Sequence, residues 1–115
     1  MKVDFMIVGA QKCGTTTLFR ILERHPQLCG SCPKEPNYFS QNLNWRQNLG
    51  EYHAHFAQAP GKIYFEGSVS ITSLPSVKNH RVCMDLYEYN PELRFIYLIR
   101  HPIDRIVSAF MHEWS

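Results

Sequence analysis

The residues with the clearest chemical potential are Gly9-Ala10-Gln11-Lys12-Cys13-Gly14-Thr15-Thr16-Thr17. Gly9 and Gly14 have the spacing of a phosphate loop, in which amide groups and a helix N-terminus converge on an anion. The Thr15, Thr16 and Thr17 hydroxyls add donors. A Walker A loop reads GxxxxGK followed by Ser or Thr. Here Thr15 stands where that lysine belongs, and the lysine lies inside the loop as Lys12. A nucleoside triphosphate with Mg²⁺ needs a cation at its β and γ positions, so the displaced lysine argues for a different anion. On the bland alternative the glycines merely turn the chain and Lys12 is solvated. The context of strand, GxxxxG and Thr-rich helix weighs against that.

The second chemical segment runs Leu98-Ile99-Arg100-His101-Pro102-Ile103-Asp104-Arg105-Ile106-Val107-Ser108-Ala109-Phe110. It reads as a strand end, an arginine at the turn, and a helix carrying a serine. A guanidinium forks onto phosphate oxygens, and Ser108 can donate one more hydrogen bond. Arg105 suits a structural ion pair equally well.

With both segments in view, a family resemblance becomes specific. Gln11 to Leu18 resembles the 5′-phosphosulfate loop of sulfotransferases that use 3′-phosphoadenosine-5′-phosphosulfate (PAPS). It is most similar to the carbohydrate type, K-x-G-T-T/S-x-L. Arg100 and Ser108 match the two 3′-phosphate ligands of the family motif R-D/N-P-x-x-R-x-x-S, with His101 in place of Asp or Asn. Pro33-Lys34-Glu35-Pro36-Asn37-Tyr38-Phe39 resembles the K-E-P-x-F/Y-F segment of heparan-type enzymes.

The resemblance implies PAPS as co-substrate and no metal. It implies donor binding by Gln11, Lys12, Cys13, Gly14, Thr15, Thr16, Thr17, Arg100 and Ser108. Lys12 would assist the leaving group, Glu35 would be the base toward an acceptor hydroxyl or amine, and Lys34 would lie near the sulfate. The acceptor would be a carbohydrate or small metabolite. Family members are longer, so residues 1–115 read as the N-terminal part of one such domain. Two alternatives stay open: a P-loop kinase or nucleotide-binding protein, and an inactive, truncated nucleotide-binding remnant.

Other reactive side chains lack a pattern. Cys29 and Cys32 form a lone CxxC between prolines, where a helix-borne redox pair is not expected. A zinc site would need two further ligands. His25, His53, His55, His80 and His112 have no motif around them, so Glu35 is preferred as base. Tyr38, Phe39, Trp45, Tyr52 and Phe56 are core candidates, with a sugar platform as the alternative.

The elements that must position these groups follow from hydrophobic patterning. Residues 2–8 form an apolar run stopped by Gly9, a buried strand. A helix is expected over 15–25, with Leu18, Ile21 and Leu22 on one face and Pro26 as its stop. Residues 26–61 read as loop with some helix about 45–57. A strand is expected over 62–69, centred on Ile63-Tyr64-Phe65, then a helix over 77–89, a strand over 93–99 and a helix from 102. Alternating strands and helices predict an α/β, P-loop-like three-layer fold with a mostly parallel sheet. In such sheets ligands bind outside the carboxyl ends of the strands.

Bulk composition agrees. The 115 residues are 44% hydrophobic and 19% charged, which is globular. Twelve Lys and Arg against ten Asp and Glu give only +2, too little to argue for nucleic acid. The first strand opens directly after Met1, and no apolar run approaches membrane length. The expectation is therefore a cytoplasmic protein with reduced thiols and no membrane partner.

Overall fold

The computed structural model describes residues 1–73 and 78–99. Four strands form one parallel sheet: β1 (Phe5–Gly9), β2 (Leu28–Gly30), β3 (Ile63–Glu66) and β4 (Arg94–Tyr97), in the spatial order β2-β3-β1-β4. Register is set by Phe5 opposite both Phe65 and Arg94, and by Gly30 opposite Phe65. The α-helices are α1 (Thr15–Leu22), α2 (Tyr38–Gln41), α3 (Leu49–His53) and α4 (Val82–Tyr89). Short 3-10 turns cover Trp45–Asn48 and Val69–Thr72. The expected α/β fold with a parallel sheet is what the chain adopts.

β1 is central and apolar on both faces, as a strand covered on two sides must be. Successive side chains alternate between the faces. Ile7 packs with Phe19 and Phe65 under α1, while Met6 and Val8 pack with Phe39, Trp45, Tyr52, Leu86 and Tyr89 on the other side. Of the five aromatics weighed as core or sugar platform, Phe39, Trp45, Tyr52 and Phe56 are buried and Tyr38 packs against them.

Several boundaries differ from expectation. Backbone pairing begins at Asp4, whose N–H donates to the Tyr64 carbonyl at 2.8 Å, and β1 itself runs to Gly9. Helix α1 ends at Leu22, one turn before Pro26. Its buried side chains are Thr15 and Phe19, while Ile21 is 59% exposed. Phe19 takes the central place because Gly30 leaves room for it: a Cβ there would lie 2.8 Å from Phe19 Cζ. Burying that ring stabilises the fold by roughly 1.5–3 kcal/mol. The 26–61 stretch also holds β2 and α2, neither of them expected. Strand β3 covers only Ile63–Glu66 of the expected 62–69. Helix α4 begins at Val82, so residues 78–81 of the expected 77–89 are not helical. Residue 77 and the helix expected from 102 lie outside the described residues.

Candidate active site

The sheet order creates a crevice. The chain leaves β1 toward β2 on one side and leaves β3 toward β4 on the other, so the connections diverge at the carboxyl ends of adjacent strands. That is the switch point at which α/β sheets take ligands. A cleft of ≈ 390 Å³ lies there, lined by Gln11, Lys12 and Gly14 of the first loop, by Thr15, Thr16 and Thr17 of α1, and by Lys34, Glu35 and Val69.

The first loop is held at its base. Leu98 N–H donates to the Gly9 carbonyl at 2.8 Å, and Ala10 N–H donates to the Leu98 carbonyl at 3.1 Å. The Thr72 hydroxyl donates to the Val8 carbonyl. Glycine is needed at position 9, since a Cβ would meet Thr72 Oγ1 at 2.8 Å and the Tyr97 ring at 2.6 Å. Lys12 (φ 61°) and Gly14 (φ 85°) both take the left-handed region. For Lys12 this conformation is uncommon and mildly strained.

Gly14 leads straight into α1, whose first backbone bond within the helix runs from Leu18 N–H to the Gly14 carbonyl at 3.0 Å. No side chain caps the helix and its first turn holds no acid. The amides at the head of α1 and the positive end of the dipole therefore face the cleft.

Lys34 and Glu35 reach the same cleft from the loop after β2. Their Nζ and Oε2 atoms are 3.6 Å apart. The turn after β3 clasps this pair. Gly67 N–H donates to the Lys34 carbonyl at 2.9 Å, and Val69 N–H donates to Glu35 Oε1 at 3.2 Å. Asn37 N–H donates to Ser68 Oγ at 3.0 Å, and Ser70 Oγ to Asn37 Oδ1 at 2.6 Å. Gly67 also lets the Lys34 stem cross it, because a Cβ there would sit 3.3 Å from Lys34 Cγ. The Lys34 side chain is 12% exposed and that of Glu35 38%.

Beneath Glu35 lies a second carboxylate. Glu66, at the end of β3, is 1% exposed and accepts hydrogen bonds from the Tyr52 hydroxyl and from Ser68 N–H at 3.2 Å. Burial pushes its pKa above the usual carboxylate value, against the lowering effect of the Ser68 and Tyr52 donors; Glu35 adds to the rise. Burial likewise raises the Tyr52 phenol, with Glu66 reinforcing it.

The structure thus brings together Gln11, Lys12, Gly14, Thr15, Thr16, Thr17, Lys34 and Glu35. Cys13, half-buried, is not among the cleft-lining residues; its N–H donates to the Ala10 carbonyl at 3.2 Å. Arg100 and Ser108 lie outside the described residues. Sequence reasoning missed Val69 and Glu66. A carboxylate ending an apolar strand, Ile63-Tyr64-Phe65-Glu66, is the signal that could have found the latter.

Among the described residues no histidine lines the cleft; His53 bonds instead to the Tyr89 hydroxyl at 2.8 Å. Cys29 lies in β2, its thiol bonded to the Ala57 carbonyl at 3.4 Å, and all four thiols are free. No group of three metal-ligating side chains occurs among the described residues.

A family model described as "Sulfotransferase domain" matches residues 2–115. The chain belongs to the sulfotransferase family. A solved sulfotransferase from Alicyclobacillus acidocaldarius superposes with a TM-score of 0.75 at 29% identity, over 97% of this chain and 50% of that one. A membrane-associated sulfotransferase of Dictyostelium discoideum is 26% identical over 93% of this chain. The bifunctional heparan sulfate N-deacetylase/N-sulfotransferase 4 of Mus musculus is 26% identical over 96%. The chain spans 22% and 13% of those two relatives and half of the bacterial structure. In this sulfotransferase domain no helix among the described residues is long and apolar enough to cross a membrane.

Proposed function

We propose that this domain transfers a sulfuryl group from PAPS to a hydroxyl or amine of a carbohydrate or small-molecule acceptor. The observation that carries the reading is the meeting of Lys12, the uncapped head of α1 and the Lys34–Glu35 pair in one cleft. The names of relatives support a carbohydrate acceptor: heparan sulfate for one, and carbohydrate sulfotransferase 15 of Mus musculus, 22% identical, for another.

Each residue then has a role. The amides and hydroxyls of Thr15, Thr16 and Thr17 hold the donor's 5′-phosphate. The acceptor oxygen or nitrogen attacks sulfur as the bond from sulfur to the phosphate oxygen breaks. Glu35 takes the acceptor proton, and Lys12 stabilises the charge that grows on the departing phosphate oxygen. Lys34 neutralises the transferring sulfuryl oxygens. Arg100 and Ser108 bind the 3′-phosphate.

Titration calorimetry of the full natural chain with adenosine 3′,5′-bisphosphate, in EDTA, tests this. Saturable binding that Lys12→Ala weakens at least about tenfold, equivalent to about 1.4 kcal/mol, is expected. Absence of binding, or binding only of ATP with Mg²⁺, overturns the reading in favour of a P-loop kinase. Nucleotide binding without sulfuryl transfer by the full natural chain points to a remnant instead.

A further inference from the structure

We infer that Glu66 is a positioning residue for Glu35, acting through the turn at Gly67, Ser68 and Val69. The inference rests on the reading of Glu35 as the base. Three consecutive amides of that turn have three separate acceptors. Gly67 N–H goes to the Lys34 carbonyl, Ser68 N–H to Glu66 Oε1 and Val69 N–H to Glu35 Oε1. The middle amide is thus tied down into the core, and the outer two are tied to the cleft pair. The Ser68 hydroxyl, itself 1% exposed as a residue, adds a fourth tie by accepting from Asn37 N–H.

A buried carboxylate is a poor choice for stability alone. An apolar side chain of similar volume usually serves as well or better. Among the described residues no lysine or arginine forms an ion pair with Glu66. Its hydrogen-bonding partners are the Tyr52 phenol and the Ser68 N–H. Its acceptor oxygen holds the Ser68 amide inward. That orientation sets the next amide, Val69, toward Glu35. Glu66 touches no substrate; it fixes where the base stands.

The test compares Glu66→Leu, Glu66→Gln and Glu35→Gln in the full natural chain, with two independent readouts. The first is the hydrogen-exchange protection of the Val69 amide, followed by NMR. Protection is expected in the native chain, in E35Q, whose side-chain oxygen still accepts from Val69, and in E66Q, which keeps an acceptor for Ser68. It is lost in E66L. The second readout is steady-state transfer. E66L lowers kcat by about 10²-fold, the effect of misplacing a reacting group by an ångström, with the KM for donor unchanged. E66Q stays within a few-fold of native, and E66L adds no further loss to E35Q.

Val69 protection that persists in E66L, or a native kcat in E66L, overturns the proposal. So does an E66L loss that adds fully to that of E35Q. Glu66→Met, close to glutamate in shape but without an oxygen acceptor for the Ser68 amide, lowers kcat in the same direction, and a native kcat in that variant overturns the proposal even where E66L does not fold. If E35Q retains native kcat, the base assignment fails while the Val69 protection still decides the positioning.

Discussion

Glu35 has each carboxylate oxygen committed to a different partner: Oε1 accepts from the Val69 amide at 3.2 Å, and Oε2 faces Lys34 Nζ at 3.6 Å. One partner fixes direction and the other fixes charge. Glu35→Gln keeps an oxygen for Val69 but removes the ion pair and the proton acceptor. Transfer should fall by about 10²–10⁴, the usual worth of a general base, with nucleotide affinity unchanged. Single-turnover kinetics beside calorimetry separate the two quantities. A native rate in E35Q removes Glu35 as the base.

Gly67 governs the other half of the pair. A methyl group there would stand 3.3 Å from both Lys34 Cγ and Phe19 Cδ2. The Phe19 ring, tilted against Phe65 with centroids 4.9 Å apart, has little freedom to move. The Lys34 stem yields instead. Gly67→Ala should therefore lower stability by only about 1 kcal/mol yet reduce kcat/KM about tenfold, less than the 10²-fold that follows a full ångström of misplacement. Denaturant melts and kinetics on one preparation give both figures. A stability loss with native kinetics would show that Phe19, not Lys34, gave way.

How far the sequence revealed this arrangement depends on the distance over which each feature is encoded. The loop from Gly9 to Gly14, the apolar strand before it and the Lys34-Glu35 segment are local, and their residue types and spacing expose them. β2 is three residues long and shows no alternation, so Leu28-Cys29-Gly30 carries no periodic signal. Its strand character comes from pairing with Ile63, Tyr64 and Phe65. The misassigned face of α1 has the same origin: Ile21 fits the apolar period, but the space above Gly30 selects Phe19. The clasp between Glu35 and Val69 joins residues 34 apart in sequence. No local pattern encodes such a bond.

Lys12 offers a separation of stability from binding. Its φ of 61° is in the region that glycine occupies freely. A non-glycine residue held there is strained by roughly 1 kcal/mol. Lys12→Gly relieves that strain and increases the freedom of the unfolded chain, two effects of opposite sign. Stability should stay within about 1 kcal/mol of native, while affinity for adenosine 3′,5′-bisphosphate falls at least about tenfold. Comparison with Lys12→Ala, which keeps the strain, isolates the backbone contribution. A Lys12→Gly chain that binds as tightly as native would mean that the amides alone hold the anion.

Glu66 makes stability depend on pH in a defined sense. Its folded-state pKa is raised, by burial above all, from the ordinary 4.5. Between that value and the raised one the folded chain binds more protons than the unfolded chain, so stability falls as pH rises. The stabilising effect of protonated Glu66 is complete below about 4.5 and is lost as pH climbs through the raised value. Each unit of displacement is worth about 1.4 kcal/mol. His53 acts in the opposite direction: burial lowers its pKa from 6.5, so it favours the folded chain as pH rises toward that value. It is common to native and E66Q chains and cancels in their difference. Denaturant midpoints for both should therefore nearly coincide at about pH 3.5. By neutral pH E66Q should be the more stable of the two. A difference that stays constant with pH would mean that Glu66 does not change its protonation state across this range.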